Sequence, residues 1–283
     1  MLTARTAAEL RRALARFRAE GDTVALVPTM GALHDGHLAL VRHARRLADR
    51  VVVSIFVNPT QFDDPGDLEL YPRAPERDAE LLAAAGSDLL FLPAVDDVYP
   101  PGDATRVEVA GPAEGLEGAH RPGHFRGVAT VVLRLLHLVT PELAVFGEKD
   151  AQQLAVVRRM VADLHLAVEV VGHPTVREPD GLAMSSRNAR LSAADRAAAA
   201  VLHRALVAGR EAVAAGERDA EAVRGVMRRV LAGEPRLAVE YAEVVDAETF
   251  RPLDRLPGSA RVVLPLAARL GDVRLIDNFP LDL

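Results

Sequence analysis

A chain of 283 residues, 49% hydrophobic and 26% charged, holds enough apolar material for one large core or two smaller ones and is too apolar to be globally disordered. Its 40 acids against 34 bases give a formal charge of −6, and aromatics reach only 4% with no tryptophan; neither a net basic field nor base-stacking rows mark it for nucleic acid. Cysteine is absent, which excludes disulfides, thiolate nucleophiles and cysteine zinc sites together and agrees with a reducing cytosol.

The N-terminal stretch mixes acids and arginines at helical spacing and has no apolar signal core. Thr6, with Glu9 three residues on, predicts a capping box, and Gly21 predicts the end of that helix. Apolar runs at 24–27, 51–57, 89–92, 143–146 and 168–171 read as buried strands, separated by amphipathic stretches at 36–50, 76–85, 127–139 and 151–163 that read as helices. The strand runs are continuous, as expected where a parallel sheet is covered on both faces. Repeated strand–helix alternation predicts an α/β fold with a doubly wound, Rossmann-like sheet. The runs at 51–57 and 131–136 are far too short to span a bilayer.

After about residue 176 the texture changes. An alanine-rich helix is expected over 192–209, capped by Ser192 with Asp195, and a second helix over 219–231. Strands follow at 239–245, 261–267 and 273–277, and no period supports an internal repeat. The expected organisation is a larger Rossmann-like domain over 1–175 and a smaller α+β domain over 176–283.

Three segments carry chemistry. Residues 28–37, Pro-Thr-Met-Gly-Ala-Leu-His-Asp-Gly-His, follow a predicted strand and open a helix, at the sheet end where open α/β proteins bind ligands. Gly31 and Gly36 permit close backbone approach, the helix start offers N–H groups to phosphate, and His34 and His37 are near enough to face one ligand. Singly, either histidine reads as well as a cap or a surface residue. No GxxxxGK[ST], GxGxxG or HExxH pattern accompanies them. The second segment, Gly147-Glu148-Lys149-Asp150, holds the only lysine of the chain, a compact ammonium among 33 arginine forks (34 bases less one lysine). The third, Met184-Ser185-Ser186-Arg187, is equally a serine-rich turn ahead of a helix.

Taken with Phe56-Val57-Asn58-Pro59-Thr60-Gln61-Phe62, Gly123-His124-Phe125-Arg126-Gly127-Val128, Gly147 through Gln153 and Met184 through Asn188, the His34-Asp35-Gly36-His37 motif resembles the pantothenate synthetase (pantoate–β-alanine ligase) family. This family lies within the HIGH-type nucleotidyl-transfer superfamily. The HxGH motif alone marks only the superfamily; the combination, in order along nearly the whole chain, is specific. The resemblance implies ATP-dependent ligation of (R)-pantoate to β-alanine through a pantoyl adenylate, giving pantothenate, AMP and diphosphate. It implies that His34, His37 and Lys149 are catalytic, with His37 donating a proton or stabilising charge. Met30, Gly31, Ala32, Leu33, Asp35, Gly36, Gly147, Glu148 and Asp150 would complete one side of the ATP site, with Asp150 toward the ribose. Val176 would lie by the adenine, and Met184, Ser185, Ser186 and Arg187 would approach from the opposite side.

Gln61, Gln153, Arg121 and His124 would form the pantoate and β-alanine side, and Asp78 a metal-side position, although an ordinary helix-surface acid fits Asp78 as well. The resemblance further implies Mg²⁺ carried mainly on the ATP phosphates, a homodimer, a cytoplasmic location and no nucleic-acid or membrane partner. Asp35 stands where the family often has glutamate, and Ala151 where an aromatic often follows the lysine motif. Nucleotidyl transfer to a phosphorylated small molecule, as in cytidylyltransferases, is the alternative enzyme class, but gives no reason for Gln61 with Gln153. A non-catalytic nucleotide-binding protein is the third.

Overall fold

The computed structural model describes residues 1–62 and 65–283. Six strands form one parallel sheet: β1 (Leu2–Ala4), β2 (Val24–Thr29), β3 (Arg50–Ile55), β4 (Leu89–Phe91), β5 (Leu143–Gly147) and β6 (Glu169–His173). Their order across the sheet is β1-β4-β3-β2-β5-β6. The intervening helices are α1 (Ala7–Ala19), α2 (Asp35–Leu47), α3 (Pro65–Glu69), α4 (Pro75–Ala85), α5 (Val95–Val98), α6 (Leu116–His120), α7 (His124–Val139) and α8 (Ala151–Asp163).

Alternate residues of each strand serve opposite faces, which is why both parities had to be apolar. Val24, Leu26, Val52, Leu89 and Phe91 join Leu14 of α1, Val128 and Leu135 of α7 and Leu154 of α8 in one core. Ala25, Val27, Val51, Val53 and Leu90 join Val41 of α2 and Leu82 of α4 in another. The chain runs from β2 to β3 and β4 on one side, while β5 pairs with the other side of β2. A crevice therefore opens where the carboxyl ends of β2 and β5 diverge, the usual ligand position in such sheets.

A third core packs α9 (Ala193–Ala214) and α10 (Ala220–Leu231) on an antiparallel sheet of β7 (Leu237–Ala242), β8 (Val245–Asp246), β9 (Arg261–Leu270) and β10 (Val273–Asp282). Among the described residues no helix is long and apolar enough to cross a membrane.

Several local expectations are met and others shift. Thr6 and Glu9 form the capping box of α1. The Ser192 hydroxyl accepts from Asp195 N–H but donates to the Asp195 carboxylate at 2.6 Å, so the cap closes side chain to side chain. The helix expected over 36–50 stops at Leu47, because Ala48 is extended and Arg50 already begins β3. The helix expected from 127 starts at His124, which brings that histidine into its first turn. The single strand expected over 239–245 is two, β7 and β8, with a register irregularity at Val239 and Tyr241. The last strand continues five residues beyond 277, to Asp282.

Candidate active site

The turn after β2 is held from behind. Gly31 has φ +83°, and a Cβ there would come within 3.1 Å of an Asp78 carboxylate oxygen. Asp78 itself, on α4 and only 1% exposed, accepts from the N–H of Ala32 (2.8 Å) and of Leu33 (2.9 Å). The helix-surface reading of Asp78 is thus corrected: it lies in the interior, and each carboxylate oxygen accepts from the turn. Among the described residues no group of three or more His, Cys, Asp or Glu could hold a metal ion.

His34 is the N-cap of α2. Its Nδ1 accepts from Gly36 N–H at 3.2 Å, and Nδ1 of His37 accepts from His34 N–H at 3.4 Å. The two rings lie 4.1 Å apart. Since a backbone N–H can only donate, each Nδ1 is an acceptor and the proton of each neutral ring sits on Nε2. Burial, then the neighbouring His34 ring, pushes the His37 pKa down to about 3; burial, then Lys149, lowers that of His34. The pair is uncharged near neutral pH and offers two Nε2–H donors.

β5 ends in Gly147, and the 3₁₀ turn Glu148–Asp150 carries Lys149, with Nζ 3.5 Å from Asp150 Oδ1. Downstream, the Ser185 hydroxyl caps the turn Ser186–Arg190 by accepting Arg187 N–H. The Arg187 guanidinium rests on Asp67 at 2.9 Å, and Arg190 binds the other oxygen of the same carboxylate.

A third cluster forms beyond β3. Asn58, 1% exposed, donates through Nδ2 to Gln61 Oε1 at 2.9 Å and to the Gly127 carbonyl at 3.2 Å. Its Oδ1 accepts from Thr60 and from the Tyr99 hydroxyl. A Cβ on Gly127 would fall 2.7 Å from the Cα of Gln61, so only glycine lets α7 approach this turn. His124 Nδ1–H donates to the Gln61 carbonyl at 2.8 Å, and Arg121 Nη1 lies 3.2 Å from His124 Nε2. Arginine can only donate, so Nε2 is the acceptor and His124 is neutral; burial, then Arg121, holds its pKa at about 4.

One cleft of about 200 Å³ brings these groups together. Met30, His34, Gly36, His37, Gln61, Arg121, His124, Gly147, Lys149, Asp150, Gln153, Val176, Met184, Ser185, Ser186 and Arg187 all line it. Other expected residues stand outside. Leu33 is a buried core residue, Asp35 is exposed, and Glu148 turns away to Arg261 at 3.0 Å. Gly31 and Asp78 border a separate cavity behind the turn, and Ala32 meets Asp78 through its backbone. Sequence reasoning missed Asn58, and Tyr71, which lines the cleft and hydrogen-bonds Ser186. Asn58 lay in a motif already in view; Tyr71 carried no signal.

A switch-point crevice lined with paired neutral imidazoles, one ammonium and two guanidiniums suits an α/β enzyme that works on an anionic, phosphate-bearing substrate. The sequence profile of the pantoate-beta-alanine ligase family matches residues 2–280, and the chain belongs to that family. It is similar to pantothenate synthetase of Chloroflexus aurantiacus, 57% identical over 277 residues covering 98% of this chain and 97% of the relative. Among solved structures it is similar to pantothenate synthetase of Thermus thermophilus, at 53% identity and TM-score 0.91 with 99% of each chain covered. It is also similar to pantoate-beta-alanine ligase of Francisella tularensis, determined in complex with beta-gamma ATP and beta-alanine, at 34% identity and TM-score 0.78 with 99% and 97% covered. The activity is ATP-dependent ligation of (R)-pantoate to β-alanine through pantoyl adenylate, giving pantothenate, AMP and diphosphate.

Proposed function

We propose that the cleft performs both half-reactions with the following division of labour. The pantoate carboxylate attacks the α-phosphorus of ATP and diphosphate departs; the β-alanine amine then attacks the acyl carbon and AMP departs. The first step brings two anions together, so the site must neutralise charge as it develops. His34 and His37 do this as neutral Nε2–H donors to phosphate oxygens. Because burial and His34 hold His37 near pKa 3, stabilisation of charge by hydrogen bonding takes precedence over proton donation. Lys149 follows the transferring phosphate as a compact charge, and Asp150 meets the ribose. Arg187 leaves Asp67 for the phosphates with Ser185 and Ser186 beside it, and Val176 lies against the adenine.

Gln61 and Gln153 bind pantoate as neutral amides, which can donate to its carboxylate and hydroxyls without repelling it. His124 and Arg121 fix the Gln61 backbone on that side. Mg²⁺ arrives on ATP: the donors lining the cleft are chiefly N–H groups and amides, which suit anions and do not make a resident magnesium cage. Residues 1–175 form the catalytic domain and 176–283 the one that completes the ATP site. The protein works as a cytoplasmic homodimer.

The observation that carries this reading is the gathering of His34, His37, Lys149 and Arg187 with Gln61 and Gln153 around one cleft. The test supplies ATP, Mg²⁺ and pantoate and follows diphosphate release with and without β-alanine. Pantoate-dependent adenylate, then β-alanine-dependent pantothenate, is expected. Replacing His37 with Gln should slow adenylation by about 10²–10³-fold, the usual loss of one strong transition-state donor. Near-wild-type adenylation in that variant, or in Lys149→Arg, would remove the corresponding assignment.

A further inference from the structure

The turn that presents Lys149 receives no side-chain cap of its own: neither Gly147, which precedes it, nor Asp150, which follows it into α8, makes one. It is held from the other sheet. Asn278 of β10, 3% exposed, donates through Nδ2 to the carbonyl of Glu148 and to that of Lys149, each at 2.8 Å. One amide nitrogen spends both hydrogens on two consecutive carbonyls of the turn. The reverse orientation of the amide would set its oxygen against those two oxygens, so the donor pattern fixes it.

Asn278 is itself well braced. Its backbone carbonyl accepts from Arg177 Nη2 at 3.2 Å, and the same guanidinium forks onto Asp277 at 2.7 and 3.0 Å, while the side-chain Oδ1 is buried without a hydrogen-bond partner among the described residues. Arg261 of the adjacent strand β9 binds the Glu148 side chain at 3.0 Å. The two carbonyls are part-buried and take their donors from Asn278, so the amide favours this shape of the 148–150 turn.

We propose that Asn278 is a positioning residue for the adenylation step, acting through Lys149: the amide on β10 fixes the turn from which the ammonium reaches the transferring phosphate. This rests on the assignment of Lys149 made above. The antiparallel sheet then contributes to the first half-reaction by holding a cation it does not itself carry. The second half-reaction, in which an amine attacks an acyl carbon, makes no such demand on the lysine.

The two half-reactions separate a positioning role from a merely structural one. In the full-length protein, Asn278→Asp presents acceptors to acceptors at nearly constant volume, and Asn278→Ala removes the donors outright. Pantoate-dependent exchange of diphosphate into ATP should fall by about 10²-fold, as for a catalytic group displaced by roughly 1 Å. Pantothenate formation from supplied pantoyl adenylate and β-alanine should keep the wild-type rate. In a Lys149→Ala background either change at Asn278 should have no further effect on exchange, because residues acting as one unit are non-additive. Equal losses in both half-reactions, or losses that multiply with Lys149→Ala, would overturn the role of Asn278 alone. Folded wild-type protein that forms no adenylate would overturn the reading of the site, and this role with it.

Discussion

Removing the Asp78 carboxylate should loosen the histidine turn without touching metal use. In Asp78→Ala, the N–H groups of Ala32 and Leu33 lose acceptors at 2.8 and 2.9 Å, in surroundings where Asp78 is 1% exposed. A buried donor left unsatisfied costs about 1–3 kcal/mol, so two give about 2–6 kcal/mol. That is a large part of the roughly 5–15 kcal/mol holding a typical domain folded. Asp78→Asn keeps one acceptor and turns an NH₂ group toward the other N–H, so it should lose about 1–3 kcal/mol. Urea unfolding followed by far-UV circular dichroism should rank the midpoints wild type, Asn, Ala. Adenylation should slow in both variants because Ala32, held at φ +51°, lies just before the His34 cap. The Mg²⁺ concentration giving half-maximal diphosphate release should stay where it is. An unchanged midpoint in Asp78→Ala, or wild-type stability with a raised Mg²⁺ requirement in Asp78→Asn, would refute the account.

Three further outcomes follow from the same geometry. Gly127→Ala places a Cβ 2.6 Å from the Thr60 carbonyl carbon and 2.7 Å from Gln61 Cα; about 1–3 kcal/mol of overpacking should appear as a lower thermal midpoint, with KM for pantoate raised more than KM for ATP. Folded pKa values of about 3 for His37 and about 4 for His124, against an ordinary 6.5, mean that the unfolded chain binds more protons between those limits. Their stabilising contribution is complete above pH 6.5 and is lost as pH falls, at up to about 1.4 kcal/mol per pH unit for each fully differing proton. Denaturant titrations at pH 5 and 7 should therefore differ less in His124→Asn than in wild type. Glu117 accepts from Arg274 twice at 2.6 Å and from the Tyr241 hydroxyl at 2.7 Å, tying α6 to the second sheet; Glu117→Ala should destabilise by about 3–5 kcal/mol, whereas a paired Glu117→Leu, Arg274→Met replacement should recover much of the loss.

The sheet was legible because its strands are covered on both sides: Val51, Val52 and Val53 had to be apolar whichever face each served. β1 was not, since three residues with one buried side chain give no pattern to read. The short helices α3, α5 and α6 have five, four and five residues, too few to display a helical period. The candidate site was legible where a residue type is unusual for its place: the two histidines at a helix start and the single lysine line one cleft. Contacts made far along the chain were not. Asp78 looks like any acid on an amphipathic helix, and what buries it is a turn 46 residues earlier.

The lysine shows the same limit from the other side. Its rarity drew attention to the turn, but nothing near it in sequence says what holds the turn in place. The group that does so lies 129 residues downstream, one position past where hydrophobic patterning ended the last strand. Patterning stops there because it reports which side chains are apolar, and Asn278 is buried for its donors. A polar residue buried next to a strand's apparent end is thus where a local reading truncates the element and the site together. The extra five residues of β10 carry the backbone past that point and bring the Asn278 amide to the carbonyls of Glu148 and Lys149, a contact between a strand's far end and a turn that no local pattern could report.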